Sequence, residues 1–97
     1  MLPAFFVAEV EVLDAEGFKM YGSRVAEITA RYGGRYLVRG GNIDAMEGEA
    51  PKRVVISAWK GMEEAHRWYT SPEYSQIIGI RHRTCKTRAF LVEGLSP

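Results

Sequence analysis

The alternation of apolar and polar side chains predicts a β-strand near the start of the chain, from Ala4 to Val12. A period of two residues is typical of a strand, because successive side chains point to opposite faces of a sheet. One face of this strand is apolar throughout and consists of Phe6, Ala8, Val10 and Val12. The other face is apolar only in its first half and consists of Phe5, Val7, Glu9 and Glu11.

After this strand, apolar residues recur at spacings of three and four, which predicts an amphipathic helix. Asp14 is a suitable N-cap, and Gly33-Gly34 is suited to ending the helix. The apolar positions at this spacing are Phe18, Tyr21, Val25, Ile28 and Tyr32. This pattern defines the inner face of the predicted helix.

The rest of the pattern predicts three further strands and two further helices. Strands are expected over 35–39, 53–59 and 87–93, and a short helix over 61–69. A second helix begins at Pro72 after a Ser71 cap and carries Tyr74, Ile77, Ile78 and Arg81 on one face. Between the second and third strands we expect a bend at Gly40-Gly41, extended structure over 43–46 and a turn over 47–51.

The order of elements predicts an α+β, ferredoxin-like βαββαβ domain that spans residues 1–97. Right-handed crossovers give an antiparallel sheet in the strand order 4-1-3-2, with its helices on one side. The other side would be left open, yet the strands carry apolar side chains on both faces, such as Phe5 and Val7 in the first strand and Leu91 beside Phe90 in the last. We therefore expect a homodimer in which two sheets face each other and form a barrel.

Composition excludes several classes of partner. Thirteen basic and twelve acidic residues give a formal charge of +1, which predicts neither a nucleic-acid surface nor a polybasic membrane contact. Cys85 is the single cysteine, so no disulfide forms within the chain and a reducing, cytoplasmic location is expected. Two histidines without ligand spacing predict no metal site, and no cofactor motif is present.

Short motifs occur in a fixed order along the chain. They are Tyr32-Gly33-Gly34, Arg39-Gly40-Gly41, Glu47-Gly48, Arg53-Val54-Val55, Ala65 followed by Trp68-Tyr69, Ser71-Pro72-Glu73-Tyr74, Arg81 and Leu91-Val92-Glu93-Gly94. As an ordered set they resemble uncharacterised-domain family 1330, a member of the dimeric α+β-barrel superfamily. The resemblance extends from Phe6 to Gly94 and implies a barrel-forming dimer with a pocket. The third strand ends in Ser57-Ala58-Trp59-Lys60, where members of the family commonly carry an acidic residue and an aromatic-proline pair.

Eight side chains near strand ends and the helix–sheet seam are candidates for a ligand site. Aromatic residues can wall a pocket, arginines can bind a carboxylate or an enolate, and Glu47 or His66 can move a proton. Each has a structural alternative, such as core packing for the aromatics. For Arg39 it is either hydrogen bonds to backbone carbonyls at the bend or a pair with Glu47 across the turn. The candidates are Arg39, Glu47, Trp59, His66, Trp68, Tyr69, Tyr74 and Arg81.

Two functions remain open from the sequence. The first is a small-molecule binding protein or cofactor-free enzyme, with a cavity of roughly 300 Å³ or more and inward-pointing arginines. The second is a non-catalytic dimeric scaffold or interaction module with a fully packed core. Residues 81–88 form a basic cluster that could attract an anion, although a solvated helix end is the simpler interpretation.

Overall fold

The computed structural model describes residues 2–96, so Met1 and Pro97 of the predicted domain lie outside the described residues. The chain has the expected α+β composition and, with the short helix counted, the expected order of elements. Its elements are β1 (Ala4–Val12), α1 (Ala15–Arg31), β2 (Arg35–Arg39), β3 (Val54–Trp59), α2 (Met62–Tyr69), α3 (Pro72–Thr84) and β4 (Cys85–Glu93).

The four strands form one antiparallel sheet in the order β2-β3-β1-β4, which confirms the predicted ferredoxin-like topology. In the centre of the sheet, Val7 of β1 lies opposite Ile56 of β3 and Phe90 of β4. Directly opposed residues share a face, so this register fixes which side chains meet the helices and which do not.

Side-chain caps start the two longer helices at the predicted residues. The Asp14 carboxylate accepts a hydrogen bond from the Gly17 amide at 3.1 Å, and the Ser71 hydroxyl accepts one from the Tyr74 amide at 3.1 Å. Gly33 follows α1 with φ +89°, a left-handed conformation that favours glycine. No helix among residues 2–96 has the length and apolar content needed to cross a membrane.

The helices cover the face of the sheet that carries Phe6, Ala8 and Val10, and we call it the covered face. At one end of this face, Trp59 and Trp68 pack with ring centroids 4.7 Å apart. A Cβ at Gly34 would lie 2.5 Å from the Trp59 ring, so glycine is needed there for the chain to pass the indole. Aromatic packing therefore fills this end of the core.

The opposite side of the sheet, which we call the open face, has no helix of the described chain against it. Phe90 and Val92 are 42% and 46% exposed there. Phe5 and Val7 of β1 are half-buried, as are Val38, Val54 and Ile56 of the neighbouring strands. The apolar open face predicted from the sequence is therefore present.

The structure departs from the expected elements at two places. Residues 40–53 form neither a helix nor a strand, so the extended structure expected over 43–46 does not pair with the sheet. β4 begins at Cys85, two residues before the predicted start, because Cys85 and Lys86 pair with the end of β1. Tertiary pairing thus extends a strand beyond its local pattern.

Candidate functional site

A chamber of about 60 Å³ lies on the covered face between α1, α3 and the sheet. Apolar side chains of the strands and of α1 form most of its wall, and one tryptophan closes its inner end. The polar side chains that reach it include three arginines and two tyrosines. The chamber is lined by Phe6, Ala8, Val10, Phe18, Tyr21, Gly22, Val25, Tyr36, Arg39, Arg53, Val55, Ser57, Trp68 and Arg81.

Arg81 is the most deeply buried charge of the site, with 4% of its surface exposed. It lies in the last part of α3, on the helix face that also carries the buried Tyr74 and Ile77. Arg81 Nη1 donates a hydrogen bond to Tyr74 Oη at 2.8 Å, and that oxygen lies 2.7 Å from Tyr21 Oη. The guanidinium carbon is 5.9 Å from the centre of the Tyr21 ring. Two phenols thus fix the position of one buried cation.

Burial keeps these phenols neutral. It is the main reason that the pKa values of Tyr21 and Tyr74 are raised above the usual value for tyrosine, although Arg81 opposes the shift. Burial also disfavours the charged form of Arg81, but the phenol oxygens of Tyr74 and Tyr21 outweigh it and the pKa of Arg81 is raised. At neutral pH the site therefore carries a guanidinium charge that no phenolate neutralises.

Two further arginines lie at the mouth of the chamber. Arg39 Nη2 donates to the Gly22 carbonyl oxygen at 3.3 Å, and its guanidinium stacks 4.7 Å from the Tyr36 ring centre. The Arg53 guanidinium lies against Gly40, whose φ of +76° and lack of a Cβ permit that approach. Among residues 2–96, no carboxylate forms an ion pair with any of these three arginines.

A bulge in β2 directs Arg39 to the covered face. Strict alternation would place Arg39 on the same face as Arg35, which is the open face. The register shifts between Tyr36 and Val38, so that Tyr36 lies opposite Ser57 and Arg39 opposite Val55. Both side chains therefore reach the chamber.

Trp68 lines the chamber and has an unpaired indole N–H. Its side chain is 2% exposed and packs edge-to-face on Phe6, with ring centroids 5.1 Å apart. Its indole Nε1 is buried and has no hydrogen-bond partner within the described chain, whereas Trp59 Nε1 donates to Ser57 Oγ at 3.0 Å. An unpaired buried N–H is costly, which makes Trp68 Nε1 a candidate donor to a bound molecule.

Four of the eight candidate residues lie together. Arg39, Trp68 and Arg81 line the chamber, and Tyr74 accepts a hydrogen bond from Arg81. The other four do not line the chamber, although Tyr69 packs on Tyr74 with ring centroids 5.4 Å apart. Trp59 packs beside Trp68 in the core, Tyr69 and His66 lie toward β4, and Glu47 is exposed in the 40–53 loop.

Several other expectations need revision. Of the two structural alternatives for Arg39, the pair with Glu47 does not form. Arg39 instead donates to a backbone carbonyl, that of Gly22 on α1 rather than one at the bend, and stacks on Tyr36. Arg81 is buried, so the 81–88 cluster is not a fully solvated helix end. The chamber is smaller than the roughly 300 Å³ expected of a ligand pocket, but its presence also means that the core is not fully packed.

Sequence reasoning overlooked Tyr21 and Arg53 as site residues. Tyr21 belonged to the predicted inner face of α1, and that face was the available signal. Arg53 precedes β3 and gave no signal, because its position depends on contact with Gly40 across the loop. No group of three or more histidine, cysteine or acidic side chains in residues 2–96 is arranged to hold a metal ion.

The chemistry of these side chains suits a negatively charged oxygen. A buried guanidinium, an unpaired indole N–H and neutral phenols are hydrogen-bond donors in a largely apolar chamber. Such a set stabilises a carboxylate, phenolate or enolate oxygen, because charge-assisted hydrogen bonds are strongest where water is excluded.

The model of a family described as a domain of unknown function (DUF1330) matches residues 3–95. No curated protein matches the chain. A solved structure of a protein of unknown function from Rhodopseudomonas palustris is similar over 99% of this chain and 85% of its own, with a TM-score of 0.79 and 18% identity.

Two other solved structures share the fold. SnoaB, a cofactor-independent oxygenase from Streptomyces nogalater, is similar over 100% of this chain and 97% of its own, with a TM-score of 0.72 and 16% identity. A dimeric ferredoxin-like protein of unknown function from Thermobifida fusca is similar over 95% and 91%, with a TM-score of 0.63 and 8% identity. At such identities the likeness shows the ferredoxin-like fold and no more.

Proposed function

This chain belongs to the DUF1330 family, a domain of unknown function, and from its own site we propose that it binds a small acidic or phenolic metabolite in the chamber. Three arginines reach one cavity that no acidic side chain lines, and this observation carries the proposal. A buried charge is stable only when it is paired or well hydrogen-bonded. An anionic ligand would supply the missing partner of Arg81.

The chamber also favours an unsaturated or aromatic body behind the acidic group. Phe6, Phe18 and Trp68 present ring surfaces, and the apolar Val25 and Val55 fill the gaps between them. The volume is small, so a ring would extend toward the mouth. Arg39 is exposed there and can move aside without breaking the core.

The proposal includes transformation of the ligand without a bound cofactor. The similar fold of a cofactor-independent oxygenase makes such chemistry compatible with this architecture. Arg81 would stabilise an enolate or phenolate that forms during a reaction, and its own charge would be held by Tyr74 and Tyr21. We also propose a cytoplasmic location, from the single cysteine, Cys85.

We propose further that the protein is a homodimer that pairs through the open face. Phe5, Val7, Phe90 and Val92 form its apolar centre, together with Ile56 of β3. Burial of each large side chain contributes roughly 1.5–3 kcal/mol before the costs of association. A ferredoxin-like protein of similar fold is dimeric, which supports the same arrangement.

Benzoate and its neutral isostere benzamide test the ligand proposal. We expect benzoate, measured by calorimetry, to bind more tightly than benzamide, because only benzoate satisfies the Arg81 charge. Arg81→Met keeps the length of the side chain and removes the charge. It should weaken benzoate binding roughly 10- to 100-fold, which corresponds to loss of a charged hydrogen bond.

Arg24→Met is the matched control, since Arg24 is exposed on α1 and does not line the chamber. Arg39→Gln is a second test that cannot disturb the core, and it should weaken benzoate binding more than Arg24→Met does. Equal binding of benzoate and benzamide, or no binding of either, would overturn the proposal. Native mass spectrometry of the freshly purified protein should in addition reveal a retained acidic molecule.

A further inference from the structure

The loop that joins β2 to β3 is held mainly at its two ends. It comprises residues 40–53, and every residue from 40 to 49 is exposed. The Gly40 amide donates a hydrogen bond to the Val54 carbonyl oxygen at 2.9 Å, and the Arg53 carbonyl oxygen accepts one from the Val10 amide at 2.8 Å. Within the described chain, residues 41–52 form no backbone hydrogen bond. A loop of this length without helix or strand usually has a function, such as covering or binding a ligand.

Both ends of this loop lie at the mouth of the chamber. Arg39 precedes the loop and Arg53 is its last residue, and both side chains line the chamber. Gly40 and Gly48, each with φ +76°, bracket the exposed segment. Rotation at a few such end residues is enough to move a loop over a site. The loop is therefore attached where a lid for the chamber would have to be attached.

The loop and the mouth carry opposite charges that are unpaired. Residues 40–51 include three acidic residues and no basic one. Among residues 2–96, none of these carboxylates forms an ion pair, and neither does Arg39 or Arg53. An extended chain of five residues reaches about 17 Å, so the loop is long enough to bring a carboxylate to either arginine. The acidic residues are Asp44, Glu47 and Glu49.

The loop also carries apolar side chains that have no cover. Met46 is 85% exposed and Ile43 is 38% exposed. The chamber is small, so the ring of an aromatic ligand would extend to the mouth and present apolar surface there. Contact between such a ring and Met46 removes both from water, which is favourable. Each of the two apolar residues is followed directly by an acidic one, Asp44 or Glu47, so one movement brings both kinds of side chain to the mouth.

We propose that the 40–53 loop is a lid that closes over a ligand in the chamber and selects ligands with an apolar body. The inference rests on the proposed function and adds the element that determines its specificity. In the closed state Met46 and Ile43 cover the part of the ligand outside the chamber. The loop carboxylates pair with Arg39 and Arg53, and Arg81 remains to bind the acidic group. A small anion such as acetate offers no surface for Met46, so it does not close the lid.

Hydrogen–deuterium exchange of the full chain tests closure directly. At saturating benzoate, the amides of residues 41–49 should exchange roughly 3- to 10-fold more slowly than in the free protein, because the closed loop opens less often. At saturating acetate their exchange should stay unchanged. Unchanged loop exchange at saturating benzoate would overturn the lid, and equal protection by acetate would overturn its selectivity.

Met46→Gln tests the apolar contact, since it keeps the approximate length of the side chain and makes its end polar. Benzoate, measured by calorimetry, should bind roughly fivefold more weakly, and acetate as tightly as to wild type. Met20→Gln is the matched control, because Met20 is 62% exposed on α1 and does not line the chamber. It should change neither affinity. Wild-type affinity of Met46→Gln for benzoate would contradict the lid.

A combined variant, Asp44→Asn with Glu47→Gln and Glu49→Gln, tests the charge contact by the sign of its effect. If the carboxylates hold the lid closed, benzoate should bind roughly 2- to 5-fold more weakly, whereas acetate binding should not weaken. If the loop only repels anions, both ligands should bind more tightly, and the lid would be wrong.

The lid and the chamber can fail separately. Benzoate that binds wild type more tightly than benzamide does, and binds Met46→Gln equally well, would support the chamber and overturn the lid. Benzoate that does not bind the wild-type protein would overturn the chamber proposal and the lid with it.

Discussion

The two faces of the sheet are incomplete in opposite ways. On the covered face, buried Arg81 adjoins an unfilled chamber and no acidic neighbour balances its charge. On the open face one ion pair joins Arg88 and Glu9 at 3.3 Å, and the apolar Phe90 and Val92 remain exposed. One face therefore lacks an anion, and the other lacks an apolar cover. The partner proposed for the covered face is a small acidic ligand, and the partner proposed for the open face is a second copy of the chain.

The largest expected effect is on the open face. Phe90→Glu places a charge opposite Val7 in the centre of the proposed interface. Two copies of the change in each dimer should cost about 3–6 kcal/mol of association, which raises the dimer dissociation constant roughly 10²- to 10⁴-fold. Sedimentation velocity over a concentration series measures this constant.

Met20→Glu is the control for that experiment, because Met20 is a 62% exposed apolar residue on α1, away from the open face. It should leave the dissociation constant unchanged. A wild-type protein that is monomeric at micromolar concentration would contradict the proposed dimer, since the open face would then be stable in contact with water. Equal dissociation of Phe90→Glu and wild type would show that the dimer uses another surface.

The sequence predicted the fold well because its signals are local. Alternation in β1 separates Phe6 from Val7, and the Asp14 and Ser71 caps start α1 and α3 at the expected residues. The apolar character of the open face was also predicted from this alternation. Such patterns depend on neighbours within a few residues, so a single sequence is sufficient to reveal them.

The site was less predictable because it depends on contacts between distant residues. Arg39 reaches the chamber through a bulge, and pairing with β3 sets that bulge. The partner of Arg81 is Tyr74 seven residues away, but the second phenol, Tyr21, is 53 residues from Tyr74. Arg53 lies against Gly40 across a loop. No local pattern specifies these arrangements, and Glu47 was a candidate only because it was expected near the end of a strand.

A smaller effect is expected from pH on the covered face. Burial raises the pKa of Tyr21 and Tyr74, so the folded protein holds these protons after the unfolded chain begins to lose them near pH 10. Stability is then complete below about pH 10 and falls as the pH rises further, by at most about 1.4 kcal/mol per pH unit for each tyrosine. Urea unfolding from pH 8 to 11, in steps of about one unit, measures the slope.

Tyr74→Phe tests the same pH effect with one of the two buried phenols removed. The variant loses about 1–3 kcal/mol at neutral pH, because Arg81 Nη1 and Tyr21 Oη lose their shared partner. Its alkaline slope should be lower than that of wild type, since one of the two titrating phenols is gone. Equal slopes in the two proteins would mean that the buried phenols do not control alkaline stability, and that the covered face is more open to water than its burial indicates.

The smallest expected effect is on the Glu9–Arg88 ion pair of the open face, and it tests how much this pair contributes to stability. Glu9 and Arg88 have side chains 37% and 74% exposed, so their attraction is screened by solvent. Glu9→Gln should therefore lower the free energy of unfolding by only about 0.2–1 kcal/mol at low salt, and by less at high salt. Arg24→Gln, at an exposed position without an ion pair among residues 2–96, is the control. A loss of several kcal/mol in Glu9→Gln, or dissociation of the dimer, would place this pair inside a dry interface. The open face would then depend on a buried charge as the covered face does, and the contrast between the two faces would no longer hold.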